Sequence, residues 1–143
     1  MVVWGWAAPG ESIEVQLGGN SARAMANDGG EWKVTLPKMT AGGPHVLQVK
    51  GSNSVKFEDV LVGEVWLCSG QSNMEMGINA VRNGKAEAAA ADYPRIRLLM
   101  VPNKWTPEPR ADIEPAAWKV CTPQTIVEGG WNGFSAVGFL FGR

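Results

Sequence analysis

Val65-Trp66-Leu67-Cys68-Ser69-Gly70-Gln71-Ser72-Asn73-Met74 closes an apolar run and opens a turn. The run reaches back to Val60, and Leu61 to Cys68 is almost continuously apolar, the pattern of a strand buried on both faces of an α/β sheet. Ser69-Gly70-Gln71-Ser72 then breaks the run, and a helix-compatible stretch follows. Strand, tight turn and helix in that order put Ser72 at the carboxyl end of a strand, with a helix N-terminus aimed at it. Free backbone N–H groups and the positive end of the helix dipole would face any oxyanion formed by attack of that serine. The same residue types also make an ordinary turn, since Ser, Gly and Asn are turn formers.

Downstream, Ala80 to Ala91 is alanine-rich and helix-prone despite Gly84, with Pro94 closing it. Ile96 to Val101 reads as a second buried strand. Strand, helix and strand would form one βαβ unit with a right-handed crossover. Pro102, Pro107, Pro109 and Pro115 mark a surface loop, and Phe134 to Phe141 reads as a helix packing Phe134, Val137 and Phe141 on one stripe. Upstream the period changes to two. Ile13, Val15 and Leu17 alternate with polar neighbours, as do Trp32, Val34 and Leu36, and Leu47 and Val49 repeat the pattern. Turn clusters fall at Gly18-Gly19-Asn20, Asn27-Asp28-Gly29-Gly30, Ala41-Gly42-Gly43-Pro44 and Gly51-Ser52-Asn53. Short alternating strands with turns at intervals of about 10 residues predict an antiparallel sandwich. The expected organisation is therefore a β-sandwich (Ig-like or jelly-roll-like) over residues 1–60 and an α/β segment over residues 61–143.

Bulk properties narrow the function classes. With 13 Lys and Arg against 14 Asp and Glu, the net charge is -1, and the basic residues are scattered. That leaves no electrostatic footprint for nucleic acid or an anionic membrane. No run of 18 apolar residues occurs, and Met1 leads into Val2-Val3-Trp4 without the basic region or cleavage site of a signal peptide. Cys68 and Cys121 permit one disulfide or two free thiols, with buried free thiols the favoured expectation. Two cysteines and one histidine lack zinc spacing, and Gly70-Gln71-Ser72 lacks the glycine frame and lysine of a phosphate loop, so no metal or cofactor is implied. Seven tryptophans suit both a packed core and sugar-facing surfaces.

The string Gly63-Glu64-Val65-Trp66-Leu67-Cys68-Ser69-Gly70-Gln71-Ser72-Asn73-Met74-Glu75 closely resembles the nucleophile block of the sialate O-acetylesterase family, a branch of the SGNH hydrolases. Val3-Trp4-Gly5-Trp6-Ala7 with Pro9-Gly10-Glu11 resembles that family's N-terminal β-domain. Trp118-Lys119-Val120-Cys121-Thr122-Pro123 and Phe134-Ser135-Ala136-Val137-Gly138-Phe139 resemble its later segments. The resemblance implies a three-layer α/β/α, flavodoxin-like hydrolase domain after the sandwich, truncated at Arg143, in a parent that begins before Met1 and lies outside the cytoplasm. It implies Ser72 as nucleophile, with its own backbone N–H as one oxyanion donor. Gln71 and Asn73 would shape the turn and border the substrate, an O-acetylated sialic acid or polysaccharide.

Serine attack on an ester needs a base, and histidine suits the task because its pKa lies near neutrality. His45 is the single histidine. It sits in the alternating β pattern beside Leu47 and Val49, which predicts a structural role out of reach of Ser72. The family resemblance implies an Asp-x-x-His segment and two further oxyanion donors, a glycine and an asparagine, far downstream of Arg143. Asp59, Glu64 and Glu75 are close to Ser72 in sequence, but nothing brings two of them to one substrate, and Glu75 fits the first turn of a helix for dipole reasons alone. The 143 residues alone are expected to be nearly inactive. The reading from a different class is a carbohydrate-binding or bracing β-module carrying an inactive hydrolase segment.

Overall fold

Period-two alternation produces the first six elements of the chain. In the computed structural model, which describes residues 1–143, these are β1 (Val2–Trp6), β2 (Ser12–Leu17), β3 (Asn20–Met25), β4 (Glu31–Thr35), β5 (Gly42–Lys50) and β6 (Ser54–Val62). β1 pairs with β4, and the other four form a sheet in the order β3-β2-β5-β6, every pairing antiparallel. They belong to one compact unit, Met1–Val65. Ile13, Val15 and Leu17 of β2 and Trp32 and Val34 of β4, with Leu36, turn the same way and are buried. Val3, Leu47, Val49, Val60 and Val62 pack against them. Burying each such side chain is worth about 1.5–3 kcal/mol.

Two glycines are dictated by this packing. Gly18 and Gly19 join β2 to β3 with φ of 53° and 83°, the pair of positive values a two-residue hairpin turn needs, and Leu17 stands opposite Asn20 across it. Gly5 lies under the Trp32 indole, where a Cβ would come within 2.7 Å of Cζ2.

The second unit, Trp66–Arg143, is built from short pieces. They are α1 (Ser72–Glu75), a 3₁₀ turn (Ile78–Ala80), α2 (Gly84–Ala89), β7 (Tyr93–Leu98), β8 (Lys119–Cys121), a 3₁₀ turn (Thr125–Val127) and α3 (Ala136–Gly142). Ile78, Ala88, Ala91, Leu98, Cys121, Ile126, Ala136 and Phe139 form its core. Residues 99–118, with the four prolines, hold neither helix nor strand. No helix of the molecule is long and apolar enough to cross a membrane.

Several expectations are corrected here. The strand expected over residues 61–68 does not form as a unit. Val60 to Val62 complete β6, with His45 opposite Val60 and Gly42 opposite Val62, and residues 63–71 have no ladder partner. Val65, Trp66 and Leu67 are therefore 76%, 62% and 89% exposed. The parallel βαβ unit is also absent among these residues, because β7 pairs antiparallel with β8 rather than with the 61–68 segment. The helix expected over 80–91 shrinks to α2, since Asn83 takes a left-handed φ of 61° at its start and Ile78–Ala80 forms the separate 3₁₀ turn. The second buried strand sits at 93–98, and Met100 and Val101 are exposed. In α3 the inward residues are Ala136, Gly138 and Phe139. Val137 and Phe141 are 48% and 63% exposed, so the expected Phe134-Val137-Phe141 stripe is replaced by its neighbour.

Candidate active site

Ser72 is the first residue of α1, a single helical turn, with Gln71 at its N-cap. The Gln71 carbonyl accepts the N–H groups of Met74 and Glu75, at 2.9 and 3.0 Å, and the Ser72 carbonyl accepts that of Met76 at 3.0 Å. The amides of Ser72 and Asn73 are left without an intrahelical acceptor, as the first amides of any helix are. Ser72, Gln71 and Asn73 are all exposed. Ser72 thus sits at an exposed helix start, without the strand expected to lead into it.

The turn is held from behind. Gly70 lies against Met74, where a Cβ would come within 3.1 Å of the Met74 Cβ. The Cys68 Cβ is 3.5 Å from the point a side chain would occupy at Gly138 of α3, and Trp66 meets Phe141 edge-on with ring centroids 5.1 Å apart. After α1 the chain is clamped to the segment that leads into α3. Gly77 N–H donates to the Trp131 carbonyl, Ile78 N–H to that of Phe134, Asn79 N–H to that of Asn132, and Ala136 N–H donates back to Met76. Gly77 must be glycine, because a Cβ there would sit 2.5 Å from the Asn132 carbonyl carbon. Ser135 caps α3 by accepting the Gly138 N–H and donates its own hydroxyl proton to the Met74 sulfur.

These supports were not singled out by sequence pattern. Gly129-Gly130-Trp131-Asn132-Gly133 is a turn cluster, and four of its five residues take positive φ. Ser135 just before an apolar stretch is a cap signal that locates the start of α3 better than periodicity does. Glu75 falls in the first turn of α1 as expected, and its carboxylate accepts from the Asn103 side-chain amide at 3.2 Å. His45 belongs to the other unit, half-buried on β5. Both cysteines are free thiols. Cys121 is buried, and burial, aided by the charge of Asp92, pushes its pKa up; Cys68 is exposed, against the expectation of burial. No cluster of His, Cys, Asp and Glu suited to a metal is present. Alone, the geometry offers a positioned but unactivated serine.

No protein-family model matches the chain. It is 32% identical to the sialate O-acetylesterase of Mus musculus and 31% identical to that of Homo sapiens, in each case over 99% of its length. The chain is a homologue of the sialate O-acetylesterases. A solved structure of a carbohydrate acetylesterase from Xanthomonas citri superposes on 99% of the chain with a TM-score of 0.88 and 40% sequence identity. The chain spans 29% and 30% of the two mammalian proteins and 32% of the bacterial one. The similarity extends over nearly the whole of this chain, across both units.

Proposed function

We propose that this chain is part of a carbohydrate O-acetylesterase that uses Ser72 as its nucleophile. The observation that carries the proposal is the 40% identity and close superposition with a carbohydrate acetylesterase, over a stretch that includes an exposed serine at a helix start. The layout proposed for the whole protein is an N-terminal β-sandwich followed by a three-layer α/β/α hydrolase domain, of which Trp66–Arg143 is the first part. The Ser72 hydroxyl attacks the acetyl carbonyl, and the Ser72 N–H stabilises the resulting oxyanion. The sugar hydroxyl leaves with a proton, an acetyl-serine remains, and water releases acetate. Gln71 and Asn73 shape the turn and border the acetyl group. The base and the remaining oxyanion donors come from outside these 143 residues, since His45 is the only histidine among them and belongs to the sheet of the first unit. The substrate is an O-acetyl ester on sialic acid or on a polysaccharide. The full-length protein works outside the cytoplasm without nucleic acid, membrane or cofactor.

The test is release of acetate from an O-acetylated sugar and from an aryl acetate, by the 143-residue chain and by a polypeptide extended to the relatives' length. The extended protein should turn over, and Ser72→Ala should lower its kcat by roughly 10⁴-fold or more. The short chain should be nearly inactive, since loss of the base is compounded by about 10²–10³-fold for each missing oxyanion donor. Turnover by the short chain that vanishes in Ser72→Ala would mean a base lies within these residues. An inactive extended protein would favour the binding-module reading instead.

A further inference from the structure

The first unit contains a cavity of about 510 Å³ whose walls are unlike a core defect. Trp4 and Trp6 of β1 line it while 63% and 70% exposed, and Phe57 of β6 joins them at 51%. The two indoles stand at 85° to one another with centroids 5.2 Å apart, so they form a corner rather than a flat platform. Glu11, Ser52 and Asn53 add polar groups to the lining.

Glu11 is a built feature. Its Oε2 accepts the Ala8 N–H at 3.1 Å and its Oε1 accepts the Ser52 N–H from the β5–β6 turn. Any Cβ on Gly51 would lie 2.3 Å from that Oε1, so the backbone gives way to let the carboxylate sit there. Two main-chain donors fix the group, and each oxygen keeps a further acceptor site. No Lys or Arg lines the cavity to neutralise it.

We infer that this cavity is a carbohydrate-binding site for a neutral pyranose oligosaccharide, separate from Ser72 and independent of the esterase reading. A pyranose ring presents an apolar C–H face and an edge of hydroxyls. The C–H face suits the electron-rich face of one indole while the second closes the corner. Hydroxyls donate to the held carboxylate and exchange bonds with the exposed Asn53 amide, so that one fixed polar group orients a ligand in a mainly apolar pocket. An acidic sugar would bring a second anion beside Glu11 with no cation to offset it, so the site selects neutral rings.

The test titrates the 143-residue chain with cellohexaose, xylohexaose and mannohexaose, and with sialyllactose as the acidic counterpart, by calorimetry and by the indole N–H signals in NMR. At least one neutral oligosaccharide should bind in the millimolar range, moving the Trp4 and Trp6 signals and not those of Trp105 and Trp118, which are 85% and 57% exposed in the other unit. Trp4→Ala and Trp6→Ala should each weaken binding on the order of tenfold. The wild-type shift map reads the site even if a variant fails to fold. Absence of binding by all three neutral probes at about 10 mM overturns the inference. So does equal binding of sialyllactose, shifts confined to Trp105 and Trp118, or self-association of the chain that the double Trp variant abolishes.

Discussion

β2 and the segment before Ser72 are both apolar, and they meet opposite fates. Ile13, Val15 and Leu17 are between 0% and 3% exposed, whereas Val65, Trp66 and Leu67 are between 62% and 89% exposed. The second segment is the more hydrophobic in sequence. The difference lies in partners. β2 has β3 on one side and β5 on the other, so its backbone is paired and its alternate side chains share one face. Residues 63–71 have no ladder at all. Hydrophobicity states that a segment gains by burial, but a strand exists only where a second strand meets its N–H and C=O groups.

One leucine from each region gives the sharpest test. Leu17→Ala should cost about 2–5 kcal/mol, since the side chain is 2% exposed and its removal leaves a cavity. Leu67→Ala should stay within about 0.5 kcal/mol, as exposed substitutions generally do. Denaturant unfolding of both variants measures this. A cost for Leu67→Ala equal to that of Leu17→Ala would break the comparison. Extension to the relatives' length tests whether the open segment lacks only a partner strand. If its partner strand lies in the added sequence, the amides of Val65, Trp66 and Leu67 become protected from exchange there and remain open in the 143-residue chain.

Smaller effects test why the second unit holds its shape despite short elements. A Cβ at Gly84 would lie 1.8 Å from the Ile78 carbonyl oxygen, a backbone atom that cannot swing aside. Gly84→Ala should therefore destabilise by about 1–3 kcal/mol, although alanine is normally the better helix former. Ser135→Ala removes the hydroxyl that caps α3 and bonds Met74, and should cost about 1 kcal/mol. Hydrogen exchange localises both losses. They should appear in Trp66–Arg143 first, and uniform loss across β2 and β5 would argue that the units do not open separately.

Legibility followed the same division. β2 and β4 were readable because their alternating apolar residues declare a buried face, and Gly18-Gly19 states the turn after β2 outright, although the partner of β4 is the distant β1. Ala41-Gly42-Gly43-Pro44 misled, since Gly42 opens β5 and the irregularity becomes a register shift inside the pairing of β5 with β6. At the site, the turn and helix start at Ser72 were legible from local residue chemistry. The clamp of Gly77, Ile78 and Asn79 onto residues 131–134 was not, because main-chain bonds across more than 50 residues leave no periodic trace. The expected crossover failed for the reason that exposes Leu67. An apolar run names no partner, and β7 found β8 instead.

The smallest expected effect concerns pH and separates the units electrostatically. The Ser52 backbone N–H, then the Ser52 side chain and the Ala8 N–H, hold the Glu11 carboxyl below its ordinary value of 4.5. A group whose folded pKa is depressed contributes stability above its unfolded pKa and loses it as pH falls through the folded one. Stability of the first unit should therefore decline as pH drops below about 4.5, with Glu58 adding to the trend through Lys56. Glu11→Gln should flatten part of that decline while leaving neutral-pH stability nearly unchanged, because the half-buried group stays within reach of water, which competes for its bonds. In the second unit Glu114, held below its ordinary value by Lys104 and Arg110, provides the matching control. Glu114→Gln should alter the acid limb of exchange in Trp66–Arg143 alone. Unfolding followed between pH 3 and 7 reads both variants, and an acid limb insensitive to Glu11→Gln would show that the bonds to Ser52 and Ala8 do not persist in solution.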